Sequence, residues 1–120
     1  MKPELGPVIA SRRYFSARDV SPGVVVEVEI AAPAKSPHAE DEFGCSFRVK
    51  SPAWDRTETV YGIDALQALL LALGYLEAIL HRLDISSDSL LRWVGGEPHD
   101  FGIRIPKFSG EEPPQSAGRE

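Results

Sequence analysis

From residue 24 to residue 30 apolar and polar side chains alternate. Val24, Val26, Val28 and Ile30 fall on one face of an extended chain, and Val25, Glu27 and Glu29 on the other. A period of two is that of a strand with one buried face. Phe43, Cys45, Phe47 and Val49 alternate in the same way with Gly44, Ser46, Arg48 and Lys50. This predicts a second such strand, with Cys45 in register with core-facing residues. Val8 to Ala17, carrying Ile9, Tyr14 and Phe15, predicts a strand before these two, although Arg12 and Arg13 interrupt its alternation. Thr57 to Tyr61, β-branched and aromatic, predicts one after them. Asp19 to Gly23 and Ser51-Pro52-Ala53 have the composition of turns, and Ala32 to Glu42 that of a solvated loop.

The period then changes. Asp64, followed three residues later by Gln67, is a capping box, in which each side chain satisfies a free backbone amide of the other, so a helix is expected to start at Ala65. At 100° per residue, Leu66, Leu69, Ala72, Leu73, Leu76, Ile79, Leu80 and Leu83 share one broad arc. Gln67, Gly74, Glu77 and His81 lie opposite, and Leu70 and Leu71 fall on the flanks of the polar side. The apolar arc is wider than one sheet contact requires, which suggests either further cover from the chain or a partner. Asp84 to Ser89 reads as a polar connection, Leu90 to Val94 as a short last strand ended by Gly95-Gly96, and Ser109 to Gly118 as a disordered tail. The expected fold is α+β: an antiparallel sheet of four to five strands packed on one long helix, in the order β-β-β-β-α-β. Short connections between successive strands require the antiparallel arrangement. One domain over residues 8 to 105 is expected, after a flexible segment at 1 to 7 and before a disordered stretch at 106 to 120.

Composition narrows the function classes. A chain of 120 residues suffices for one core. Its 13 lysines and arginines against 18 aspartates and glutamates give a net charge of -5, which argues against nucleic acid and anionic membranes as partners. Cys45 is the only cysteine, so an internal disulfide or a thiolate-rich metal site is ruled out. The first residues have no signal-peptide core, and the apolar run from Leu66 to Leu73 stops at Gly74, short of a bilayer's thickness, so a cytoplasmic location with no membrane is expected.

The chain has no glycine-rich phosphate loop, zinc helix, nucleophile elbow or paired CxxC, and no cofactor or metal is implied. The densest chemistry lies after Gly95-Gly96, where Glu97, His99 and Asp100 follow within four residues. They could form a general-base pair or a metal site, and with Asp64 at the helix start they could bind a small ligand. As an ordinary turn, the same glycines permit tight backbone angles and the charged groups are simply solvated. His38, His81 and His99 have no helical pairing, and a buried Cys45 is an inert thiol. Trp54, placed after Pro52-Ala53, is either an exposed partner anchor or a lid on the core edge, whereas Trp93 reads as core. Arg12, Arg13 and Arg18 read as a solvated strand face.

The run from Tyr61 to Leu69, Tyr61-Gly62-Ile63-Asp64-Ala65-Leu66-Gln67-Ala68-Leu69, and the segment Leu91-Arg92-Trp93-Val94-Gly95-Gly96-Glu97 resemble an uncharacterised family of small bacterial proteins known only as a domain of unknown function. The resemblance covers roughly residues 8 to 103. It implies a bacterial source and no activity. The residues themselves favour a non-enzymatic protein-interaction module of accessory or toxin-neutralising type, binding a protein partner or a second copy through Trp54, Leu70 and Leu71. The competing expectation is a small-molecule-binding domain or small enzyme with a site at Asp64, Glu97, His99 and Asp100.

Overall fold

A computed structural model describes residues 5–16, 24–52, 54–87, 91–93 and 101–103. Strand β1 spans Val8–Ser16, β2 Val24–Ala31, β3 Ala34–Lys35, β4 Phe43–Ser51 and β5 Trp54–Gly62; helix α1 spans Ala65–Ser87 and β6 Leu91–Arg92. All strand pairs are antiparallel, and the fold is α+β with one long helix. β2 and β3 both pair with β4, and successive partners show why they count as two. Ile30 lies opposite Phe47 but Ala34 opposite Gly44, so four steps on one side match three on the other. The extra residue is a bulge beside Pro33, which has no N–H for the ladder. The loop expected from Ala32 to Glu42 therefore begins with a continuation of β2. The sheet runs β5, β4, β2 with β3, β1, β6.

Residues opposite one another in these ladders share a face. One face carries Tyr14, Val26, Val28, Ile30, Cys45, Phe47 and Val49, all buried. The other carries two cross-strand rows, Ser11-Glu29-Arg48-Thr57 and Arg13-Glu27-Lys50-Asp55. Signs alternate along the second row. Arg13 pairs with Glu27 at 3.4 Å, and Arg48 grips Asp55 with both ends of its fork at 2.9 and 2.7 Å. The hydrogen bond that Asp55 accepts, then its charge, pushes the Arg48 guanidinium further up.

Helix α1 crosses the apolar face over β4 and β5. Its start obeys the capping signal: Gln67 N donates to Asp64 Oδ1 at 2.7 Å. The return bond differs from the expected box, since Gln67 Oε1 accepts from Ile63 N at 2.8 Å, one residue before the cap. Gly62 lets the helix sit this close, because a Cβ there would lie 2.6 Å from Ala68 N. Between Ala65 and Leu83, α1 buries Ala68, Ala72, Leu76, Ile79 and Leu80. Each leucine or isoleucine so buried contributes about 1.5–3 kcal/mol. The helix continues past the expected end at Leu83 to Ser87, through part of the stretch read as a polar connection. β5 likewise starts at Trp54 rather than Thr57.

The far edge holds a surprise for Arg12. It lies opposite Val28 on the apolar face, away from β4 and β5 over which α1 packs, and the chain's later residues cover it. β6 pairs with the end of β1, burying Leu91. Residues 101–103 then cross β1. Tyr14 Oη donates to Phe101 O at 2.5 Å, and Arg12 Nη1 donates to Phe101 O at 3.1 Å and Gly102 O at 2.7 Å. The Arg12 guanidinium stacks 4.0 Å from the Trp93 ring centre. Arg12 is therefore a clamp and not part of a solvated strand face. Gly102 has φ +66°, and a Cβ there would overlap Arg12 and the Trp93 indole. Ala17, the turn Asp19 to Gly23, Val94, Gly95-Gly96 and the tail from 106 lie outside the described residues.

Candidate functional site

The outward side of α1 is unusually apolar in its first turns. Leu66 is 63% exposed, Leu70 42%, Leu71 46% and Tyr75 41%, and Ile63 just before the helix is 71% exposed. Gly74 lies among them on the same side, and a Cβ there would meet nothing within 4 Å. Glycine inside a helix costs about 1 kcal/mol relative to alanine, and no packing among the described residues asks for it at this position. Ala78, one turn later, is also exposed. The arrangement is a shallow saddle of small residues flanked by leucine and tyrosine, onto which a second element can lie close to the helix axis. Beside Ile63 and Tyr61, the carboxylates Glu40, Asp41 and Glu42 line one shallow depression with Gln67. The apolar face thus has an acidic rim at its N-terminal end.

Leu70 and Leu71 occupy this face as expected. Trp54 does not join them. It packs against the core and lines a depression with Arg56, Ile79, Arg82 and Leu83, towards the other end of α1. Leu71 and Leu83 are twelve residues apart, about 18 Å along a helix. Asp64 is exposed, with one carboxylate oxygen engaged at the helix start. Glu97, His99 and Asp100 lie outside the described residues. Leu66 was expected to face the core and faces out. The helix is turned so that Ala68, fully buried, points at the sheet, swinging Leu66 away. Tyr75 and Ile63 were missed as surface residues. The available signal was the pair Ala68 and Ala72, four apart, where small side chains let a helix approach a sheet.

Groups with chemical potential elsewhere are engaged or scattered. Burial pushes the Cys45 thiol up, and its Sγ faces Ala31 O at 3.5 Å. His38 stands edge-on to Tyr61 at 6.0 Å and His81 edge-on to Phe101 at 6.1 Å. Arg56 and Glu58 pair with each other beside Trp54. Among the described residues no three His, Cys, Asp or Glu side chains converge as a metal site.

By length and composition, Ala65–Leu83, with mean hydropathy 1.3, is apolar enough to cross a membrane; 28% of it is buried in the fold. A core helix passes the same test. Kinship is decided by a family model, that of a domain of unknown function, DUF6968, which matches residues 11–105. This chain belongs to that family. The DUF6968 match takes in the charged and apolar faces of the sheet, α1 and the clamp at Arg12. No curated protein and no solved structure is significantly similar to the chain.

Proposed function

We propose that this DUF6968 protein is a non-enzymatic, cytoplasmic protein-interaction module, of the accessory or toxin-neutralising type in a bacterium, and that it docks its partner on the outward side of α1. The observation that carries the reading is the exposed set Leu66, Leu70, Leu71 and Tyr75 around Gly74. Four large apolar side chains exposed across the outward half of one helix are the kind of surface that marks an interface. The acidic rim at Glu40, Asp41 and Glu42 favours a partner whose apolar segment is flanked by basic residues, since complementary charge speeds encounter and suppresses wrong partners. A second copy docked on the same face is the competing occupant.

The test is affinity capture from nuclease-treated lysate of the source organism with wild-type and Leu71→Glu baits, followed by reconstitution of the captured protein. One near-stoichiometric partner, lost with Leu71→Glu and binding more slowly as salt rises, supports the reading. Dimerisation of the purified chain that Leu71→Glu abolishes replaces the foreign partner with a second copy. Retention of the same partner by Leu71→Glu overturns the surface assignment.

A further inference from the structure

The Arg12 clamp borders a cavity of about 170 Å3 between β1, β2, α1 and residues 101–103, with walls that include Val28, Ile30, Leu73, Leu76 and Ile103. Arg12 lines it as well and is, among the described residues, the only charged side chain to do so. A guanidinium carries five N–H donors and no acceptor. The bonds to Phe101 and Gly102 both use Nη1, and among the described residues none engages the Nε and Nη2 edges of the fork. Among the described residues, Arg13, Arg48 and Arg56 each pair with a carboxylate, and Arg12 pairs with none. A part-buried cation without a counter-charge is costly, and stacking on Trp93 offsets only part of that cost. A second donor stands beside it. Trp93 Nε1 is buried without an acceptor, 2.6 Å from where a Gly102 Cβ would be. Arg12 thus presents donors to this end of the cavity, and most of the other walls are hydrocarbon.

We propose that this cavity binds a small apolar monocarboxylate of about the size of benzoate. The carboxylate accepts from the remaining edges of the Arg12 fork, a geometry that a guanidinium matches with two parallel bonds. The hydrocarbon body lies between Val28, Ile30, Leu73 and Leu76. Size is consistent, since a cavity of about 150 Å3 accommodates benzene. The site stands apart from the proposed docking face, because Leu66, Leu70, Leu71 and Tyr75 are not among its walls.

The experiment titrates the full chain with benzoate and with its neutral counterpart benzyl alcohol, followed by amide chemical shifts and tryptophan fluorescence. Saturable shifts at Leu73, Gly102 and Ile103 are expected, with benzoate bound about tenfold or more tightly than benzyl alcohol through its charge-assisted bonds. Leu73→Trp fills the cavity and should abolish binding of both probes with the thermal transition retained. Arg12→Gln keeps an N–H for the carbonyls of residues 101 and 102 and should erase the preference for benzoate; it carries the test if Leu73→Trp disturbs the fold. Absence of saturable benzoate binding, equal affinity for the two probes in the wild-type chain, or binding untouched by both substitutions overturns the proposal.

Discussion

Both sides of α1 carry large apolar side chains, and those side chains have opposite fates. Inward, Ala68, Ala72, Leu76, Ile79 and Leu80 are buried against β4 and β5. Outward, Leu66, Leu70, Leu71 and Tyr75 remain in solvent around an exposed Gly74. Hydrophobicity alone therefore does not decide which side of the first turns is core. Near its start the helix turns Ala68 and Ala72 to the sheet, which brings the axis close at Gly62 and leaves Leu66, Leu70 and Leu71 on the other side.

Substitutions that act on one side only should separate stability from association. Leu80→Ala on the inward side should cost about 2–5 kcal/mol, from lost transfer energy and the cavity left behind; urea unfolding measures it, and a loss below 1 kcal/mol would mean the inward side is not the core. Asp64→Ala removes the acceptor for Gln67 N and should cost about 1 kcal/mol by the same measurement, as helix caps do. Gly74→Ala should stabilise the isolated chain by about 0.5–1 kcal/mol, because its Cβ meets nothing and the backbone loses freedom only in the unfolded state. It should at the same time weaken partner binding, and stabilisation without that loss would show that no element approaches the helix there. Leu71→Glu should move stability by no more than about 0.5 kcal/mol and still abolish association.

Beneath the inward side, Cys45 reports on the sheet. Burial raises its thiol in the folded chain, so the folded state holds a proton that the unfolded chain releases. Its stabilising contribution is intact below the ordinary thiol range and is lost as pH climbs above about 8.5. Urea midpoints measured from pH 7 to pH 10 should fall more steeply for the wild type than for Cys45→Ala, and parallel slopes would remove the thiol from the account. At neutral pH, thiol-specific reagents should modify it only as fast as the chain opens.

Much of the fold was legible locally. The alternations through Val26, Val28 and Ile30 and through Cys45, Phe47 and Val49 correctly placed those residues on the buried face, and Asp64 with Gln67 placed the helix start. Leu70 and Leu71 were recognisable as flanking residues because they fall outside any single arc of the wheel. Trp54 was open between anchor and lid; it is partly buried against the core and lines a depression with Ile79 and Leu83. Leu66 was misplaced because a wheel ranks directions by summed hydrophobicity, whereas contact with the sheet rewards close approach.

By itself the sequence determined what depends on neighbours along the chain: which face of each strand is apolar, where the helix begins, and that no thiol cross-link is available. Only the tertiary structure decided the rotation of α1 about its axis and the fate of Arg12. Its carbonyl partners lie 89 and 90 residues away. No local pattern encodes a contact at that separation, because it exists only once β6 has closed on β1 and carried residues 101–103 back across the apolar face.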